Sequence, residues 1–413
     1  MTHDTIVIGA GLAGLTAALR LADEGRRVFV IARGVGATHL APPTIDVLGF
    51  ADERVESPAQ ALAELSAAHP EHPYRRLSAD VVSASVEWFK ARLPALGYQG
   101  GLEENFLLPT AVGAAKPSAV VPETMVGGDL RAGGRFVFVG LRLKDFYPAY
   151  LAENLAQSAQ VEARAIELDL PPGEDGGTLG LARRFEQSGV REWVARELSG
   201  RVEQDERVGF PAVLGRQSVG EVWRELEARV ERPVFEVATL PPSVPGIRLY
   251  EAMTAALRQA GGRLLIGQPV IGAETHNGRV DGVVVQQAAR AKTFRARSFL
   301  LASGGLAAGG IRVDSYGKVR EAVFDLPLAG LPEANGRPPF RPTYLDEQPL
   351  DRVGVAVDEA LRPTDPEGAL RFENLHAAGA MLAGAAPWRE ASGNGLSLAS
   401  GYAAAGAILE YTP

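Results

Sequence analysis

Residues 6–15 read IVIGAGLAGL, and this stretch limits the possible folds more than any other. A short apolar run ends at Gly9 and an apolar-periodic stretch begins at Leu12, so Gly9, Gly11 and Gly14 fall on a strand-to-helix turn. Gly9 permits the tight turn, Gly11 lets backbone N–H groups approach a phosphate, and Gly14 allows the helix to pack closely on the strand. The helix start, with Leu12 and Ala13 beside the glycines, faces an anion with unpaired N–H groups and the positive end of its dipole. A glycine turn that binds nothing is the alternative. With strand and helix in register, the pattern points to a phosphorylated nucleotide cofactor in a Rossmann-like α/β domain. Leu12, Leu15, Ala18, Leu19 and Ala22 mark the buried helix face, Gly25 stops the helix, and residues 28–31 form a second buried strand.

The end of that second strand departs from the usual pattern. A dinucleotide site commonly places Asp or Glu there to accept from the adenosine ribose, whereas here VFVIARG supplies Arg33. A solvated arginine at a strand end is one reading. The other is a site without the ribose acceptor: NADP-like, a loosened FAD site, or a mononucleotide site in which Arg33 meets a phosphate.

The 413 residues suffice for two or three domains, and 46% hydrophobic with 22% charged residues is globular usage. A net charge of −8 argues against general affinity for nucleic acid or anionic lipid, while local basic pockets stay possible. There is no cysteine, which excludes disulfides, thiolate catalysis and a Cys-ligated iron–sulfur cluster within this chain. No His/Asp/Glu group has metal-ligand spacing, so no metal is expected. The N-terminus does not read as a signal peptide, since Asp4 interrupts it, and no stretch reaches the roughly 18 apolar residues that span a bilayer. A cytoplasmic protein is expected, reaching a membrane only through a partner or a surface patch.

Further along, residues 57–98 look mainly helical, 136–141 a strand, 145–158 a helix, and 178–199 and 218–230 charged helices. Residues 234–242 read as a strand entering a proline turn, and 246–260 as an amphipathic helix. Short strands follow at 263–266, 269–275 and 280–285, with Asn277-Gly278 as a hairpin turn. The expected architecture is a discontinuous Rossmann-like domain, 1–56 and 245–413, with an inserted α+β cap, 57–244, that serves substrate or subunit contact.

A second constellation lies near the C-terminus: ENLHAAGAMLAG at 373–384, then SGNGLSLASGYAAAGAI at 392–408. It resembles the closing signature of two-dinucleotide-fold flavoproteins. By that likeness Gly379 ends a strand at the flavin, Gly393, Asn394 and Gly395 open a helix aimed at the ring, and Gly304 in LLASGG passes near the phosphates. A helix N-terminus there would stabilise the anionic reduced ring. That Ala and Gly merely allow tight helix packing is the alternative.

The chain also resembles the B subunit of anaerobic, quinone-dependent glycerol-3-phosphate dehydrogenase, within the fumarate-reductase-like flavoproteins. IVIGAGLAGL, ARGVGATHLAPPTIDVL (32–48), HPYRRL (72–77), TLPPSVPGIRLYEAM (239–253), LASGG and ENLHAAGA carry the likeness, which is thinnest over 100–230. The resemblance implies oxidation of sn-glycerol 3-phosphate to dihydroxyacetone phosphate, with electrons passed to quinone. It implies a second flavoprotein (A-type) subunit and an iron–sulfur, membrane-anchoring (C-type) subunit at the inner face of the cell membrane. It also implies FMN, where the glycine turn suggests FAD.

Such a reaction needs a base for the hydroxyl proton. His39, just after the second strand, is the candidate; His376, in the C-terminal strand, reads as packed, and His69, His72 and His276 as surface or loop residues. Arg248 could meet a substrate phosphate or form a salt bridge to the helix or cap. Besides the catalytic subunit, two other readings stay open: a stand-alone flavin oxidoreductase for another small polar substrate, and a non-catalytic relay or scaffold subunit that binds flavin.

Overall fold

The computed structural model describes residues 3–159, 161–170, 176–288, 290–332, 340–343 and 345–411. Its main elements, in chain order, begin with β1 (His3–Ile8), α1 (Leu12–Asp23), β2 (Val28–Ala32), α2 (Pro58–Ala68), α3 (Ala79–Arg92), β3 (Phe106–Pro109) and β4 (Ala115–Ser118). A second series comprises β5 (Arg135–Gly140), α4 (Pro148–Ser158), β6 (Glu162–Glu167), α5 (Thr178–Phe185), α6 (Ser188–Leu198), β7 (Glu206–Pro211), α7 (Val219–Val230) and β8 (Val234–Val237). The chain then runs through α8 (Val244–Gln259), β9 (Arg263–Ile266), β10 (Val270–His276), β11 (Arg279–Gln286), β12 (Ala291–Leu301), β13 (Leu375–Ala377) and α9 (Gly393–Glu410).

These elements fall into two compact units: Met1–Ala37, Ala59–Phe89 and Ala252–Pro413 in one, Thr38–Pro58 and Lys90–Glu251 in the other. This differs from the expected division, since residues 38–56 group with the second unit and 59–89 with the first.

The first unit is built on a sheet ordered β9-β2-β1-β12-β11-β10, with β13 also pairing β12. β9, β2, β1, the C-terminal half of β12 and β13 are parallel. A parallel sheet covered on both faces needs near-continuous apolar runs, and β2 is buried at every position while β1 is buried from Thr5 onward. Beyond Ala296 the same strand changes partner: its N-terminal half runs antiparallel to β11, which pairs antiparallel with β10. The β10–β11 turn is the expected one, with Asn277 at φ 48° and Gly278 at φ 70°, the left-handed pair that a two-residue hairpin requires. α9 packs against α1. Their small side chains permit that approach: a Cβ at Gly401 would lie 2.4 Å from the Ala13 carbonyl oxygen.

The second unit holds a four-stranded, all-parallel sheet ordered β6-β5-β7-β8. The β-α-β connections run through α4, through α5 and α6, and through α7. Its core includes Phe136, Phe138 and Phe235, with Phe235 edge-on to both others at about 6 Å. The second unit thus combines a parallel α/β sheet with short antiparallel pairs such as β3–β4.

Candidate cofactor site

At the carboxyl edge of the first unit's sheet, neighbouring strand ends are tied in one line. Gly9 N–H donates to the Ile31 carbonyl at 2.9 Å, Ala302 N–H to Ile8 at 2.9 Å and Ala378 N–H to Leu301 at 3.0 Å. These bonds bring the predicted residues Gly9, Gly304 and Gly379 to a common edge. Gly9 has φ +118°, and a Cβ there would sit 2.1 Å from the Ala302 carbonyl oxygen, so only glycine lets β1 and β12 end together. At Gly14 a Cβ would meet the Gly9 carbonyl oxygen at 2.1 Å, the helix–strand approach anticipated for that position. Gly11 behaves oppositely. It is the N-cap of α1, and a Cβ there would meet nothing within 4 Å. The turn is therefore closed at Gly9 and Gly14 and open where a Gly11 side chain would stand.

α9 brings the second helix start. Its N-cap, Ser392, makes no side-chain bond to the helix amides, so the first N–H groups, at Gly393, Asn394 and Gly395, are not capped from that side chain. The turn ahead of α9 is braced instead by Glu390. Its carboxylate accepts from Ser392 Oγ at 3.0 Å, Ala386 N–H at 2.9 Å, Arg352 at 3.0 Å and His72 Nε2 at 3.2 Å. Tyr74 N–H donates to His72 Nδ1, so the ring proton sits on Nε2. Burial opposes ionisation of Glu390, but the bonds from His72, Ala386 and Ser392 outweigh it and hold its pKa below the ordinary range. His72 lies in a loop, as one of its two readings had it, but is fully buried and not on the surface; its partner is more than 300 positions away. Gly379 N–H donates to Ser400 Oγ at 2.8 Å, fastening the strand end to α9.

A phosphorylated cofactor fits this edge. The start of α1, which no side chain caps, supplies donors, Gly11 leaves room, and Ser303 Oγ, beside Gly304, is buried with no hydrogen-bond partner among the described residues. Arg33 is exposed past the end of β2 and makes no hydrogen bond or ion pair among the described residues. His376 lies within β13, buried, and burial pushes its pKa down to about 4; it is a packed histidine.

The remaining candidates belong to the second unit. His39 is half-buried; its ring lies edge-on to Tyr250 with centroids 4.8 Å apart, and its Nε2 is buried without a partner among the described residues. Burial holds His39 below its ordinary pKa; the charge of Glu251 opposes this and that of Arg216 adds to it. Of the two roles open to Arg248, the structure shows the ion pair. Its guanidinium bonds Glu236 at 2.7 and 2.9 Å and the Gly215 carbonyl at 2.9 Å, with both side chains buried. Residues without sequence signals also meet here. Asp46 accepts from Thr44, Ser118 and Lys116, fastening 44–46 to the β3–β4 hairpin. Arg216 pairs with Glu251. Among the described residues no group of His, Asp or Glu could hold a metal, and no helix is long and apolar enough to cross a membrane.

Fold and edge together define a flavin-dependent oxidoreductase, and the chain matches the FAD binding domain family over residues 4–396. It is 34% identical to the B subunit of the probable anaerobic glycerol-3-phosphate dehydrogenase of Halobacterium salinarum, over 98% of each chain. It is 32% identical to the corresponding B subunit of Yersinia pseudotuberculosis, over 97% of this chain and 96% of that one. The chain belongs to the family of anaerobic glycerol-3-phosphate dehydrogenase B subunits. Among solved structures, 3-ketosteroid delta1-dehydrogenase from Sterolibacterium denitrificans shares the fold, with a TM-score of 0.50 at 14% identity over 98% of this chain and 99% of that one. As the relatives are designated B subunits, they belong to enzymes of more than one subunit.

Proposed function

We propose that this chain is the flavoprotein subunit that oxidises sn-glycerol 3-phosphate to dihydroxyacetone phosphate, with electrons passing to quinone through partners. The observation that carries the reading is near-full-length likeness to the B subunits, joined to a strand edge fit for a phosphorylated flavin. Gly9, Gly11, Leu12, Ala13 and Gly14 would hold the phosphate, and Gly304, Gly379 and the Gly393-Asn394-Gly395 helix start would line the rest. When bound, the flavin supplies the acceptor for the hydride that leaves the carbinol carbon. The matching hydroxyl proton goes to His39 Nε2, which burial keeps neutral and able to accept.

For the cofactor itself we propose FAD, in keeping with the family match, with exposed Arg33 in place of the acidic ribose acceptor; FMN is the competing chromophore. The partners proposed are an A-type flavoprotein subunit and an iron–sulfur C-type subunit that holds the assembly at the cytoplasmic membrane face. The absence of cysteine means that clusters must sit on a partner.

Anaerobic addition of glycerol 3-phosphate to the purified yellow protein tests the reading. Bleaching is expected. Colour that bleaches only after a partner is added would assign a relay role, and bleaching by another substrate alone a stand-alone enzyme. Acid release and mass measurement of the chromophore separates FAD from FMN.

A further inference from the structure

With Arg248 engaged by Glu236, the phosphate of a substrate needs another cation. We infer that Arg216 is that cation, and that the second unit holds a two-point site for a short phosphorylated alcohol, with Arg216 for the phosphate and His39 Nε2 for the hydroxyl. The inference deepens the proposed function and rests on it for the substrate's identity.

The place comes from topology. In the order β6-β5-β7-β8, the chain leaves β5 toward β6 on one side and leaves β7 toward β8 on the other. Where connections diverge in this way, the loops beyond the carboxyl strand ends part and leave the crevice in which open α/β sheets take ligands. Arg216 stands in the loop between β7 and α7, which is one wall of that divergence. The loop's backbone is fixed independently of the side chain: Glu186 Oε1 accepts from the N–H groups of Arg216, Gln217 and Ser218 at 2.7, 2.8 and 3.2 Å.

The guanidinium is the second observation. Arg216 binds Glu251 through two nitrogens, in the forked manner that also suits phosphate. Its side chain is 31% exposed and that of Glu251 42%, against 5% and 0% for Arg248 and Glu236. Water can therefore take over the Glu251 carboxylate if a phosphate displaces it, whereas separating the buried pair would strand two charges. Third, Tyr250, which precedes Glu251 on α8, packs edge-on against the His39 ring. The Arg216 pair and the His39 ring thus flank the same turn of α8. The ring's buried Nε2 has no partner among the described residues, and a neutral imidazole nitrogen in that state accepts from a hydroxyl.

The test titrates the full-length, flavin-loaded protein with inorganic phosphate, glycerol 3-phosphate and glycerol, following heat of binding as well as bleaching. Arg216→Gln is expected to weaken glycerol 3-phosphate and phosphate by about 10- to 100-fold, the loss for a charged hydrogen bond, with flavin content and melting temperature kept and glycerol unaffected. Glu251→Gln leaves the guanidinium in place and is expected to tighten phosphate severalfold. Phosphate binding unchanged in both variants, or absent from the parent protein, overturns the site. Phosphate that binds through Arg216 in a protein that glycerol 3-phosphate never bleaches leaves the site standing and removes the dehydrogenase reading instead.

Discussion

Gly9 and Gly11 lie two positions apart in one turn, yet substitution should harm them in different ways. Gly9→Ala drives a methyl group into the Ala302 carbonyl at a φ of +118°, so the apo-chain itself should lose about 1–3 kcal/mol in urea unfolding. Gly11→Ala meets open space. Its apo-chain should keep its stability within about 1 kcal/mol, while flavin retention after gel filtration falls sharply. Equal flavin retention in the Gly11 variant would disprove the phosphate-facing role. His376 sets a pH dependence. Its pKa is near 4 when folded, against an ordinary 6.5, so the unfolded chain takes up the proton first as pH falls. This contribution is fully present above pH 6.5 and declines from there down to about pH 4; it amounts to roughly 3 kcal/mol. Urea midpoints at several pH values, for the parent and His376→Leu, should diverge across that window. Glu236→Gln should cost about 3–5 kcal/mol, because it leaves the Arg248 charge buried without its counter-ion. That pair could not be read from spacing. Glu236 and Arg248 are separated by a proline turn, and only the folded chain shows that the arginine faces back toward Glu236.

Elements whose pattern is local were legible in the sequence. The β1–α1 turn, the Asn277-Gly278 hairpin and the charged helices α5, α6 and α7 carry their periodicity or turn chemistry within a few residues. Two strands of the second sheet were not. β6 reads EARAIE, which looks helical by composition, and β7 reads ERVGFP, with a glycine and a proline inside it. Both are held by partners that sequence cannot display: Arg164 on β6 bonds Glu206 on β7 at 2.6 Å, and both strands flank β5. Missing them hid the parallel sheet, and with it the crevice at Arg216. For α9 the apolar pattern runs all round the helix, as suits an element buried by neighbours on several sides. Gly401→Ala should push α1 and α9 apart at Ala13, costing about 1–3 kcal/mol by overpacking. Because Ala13 lies in the first turn of α1, flavin loss should accompany the drop in urea midpoint.

At the scale of the whole molecule, the cofactor edge collects pieces from both ends of the chain, whereas His39, Arg216 and Glu251 gather in the other unit. Flavin binding should therefore slow amide hydrogen exchange at 9–14, 302–305, 378–380 and 393–396, with much smaller changes in β5 to β8. Protection spread evenly over both units would contradict the assignment of the cofactor to the first. Those edge segments were anticipated because each carries its own glycine signature; the grouping of 38–58 with residues beyond 90 was not, since it depends on contacts such as Asp46 with Lys116.

The line of strand ends also has a consequence for biosynthesis. β1 leaves the ribosome some 290 residues ahead of its neighbour β12 (Thr5 bonds Ser298, 293 positions on), and α9, which closes over α1, follows later still. The nascent first unit must wait with its sheet half-paired and its phosphate turn unsupported. Prosthetic-group loading is then a finishing step of maturation, and a ribosome stalled just short of α9 should display a chain that captures no flavin.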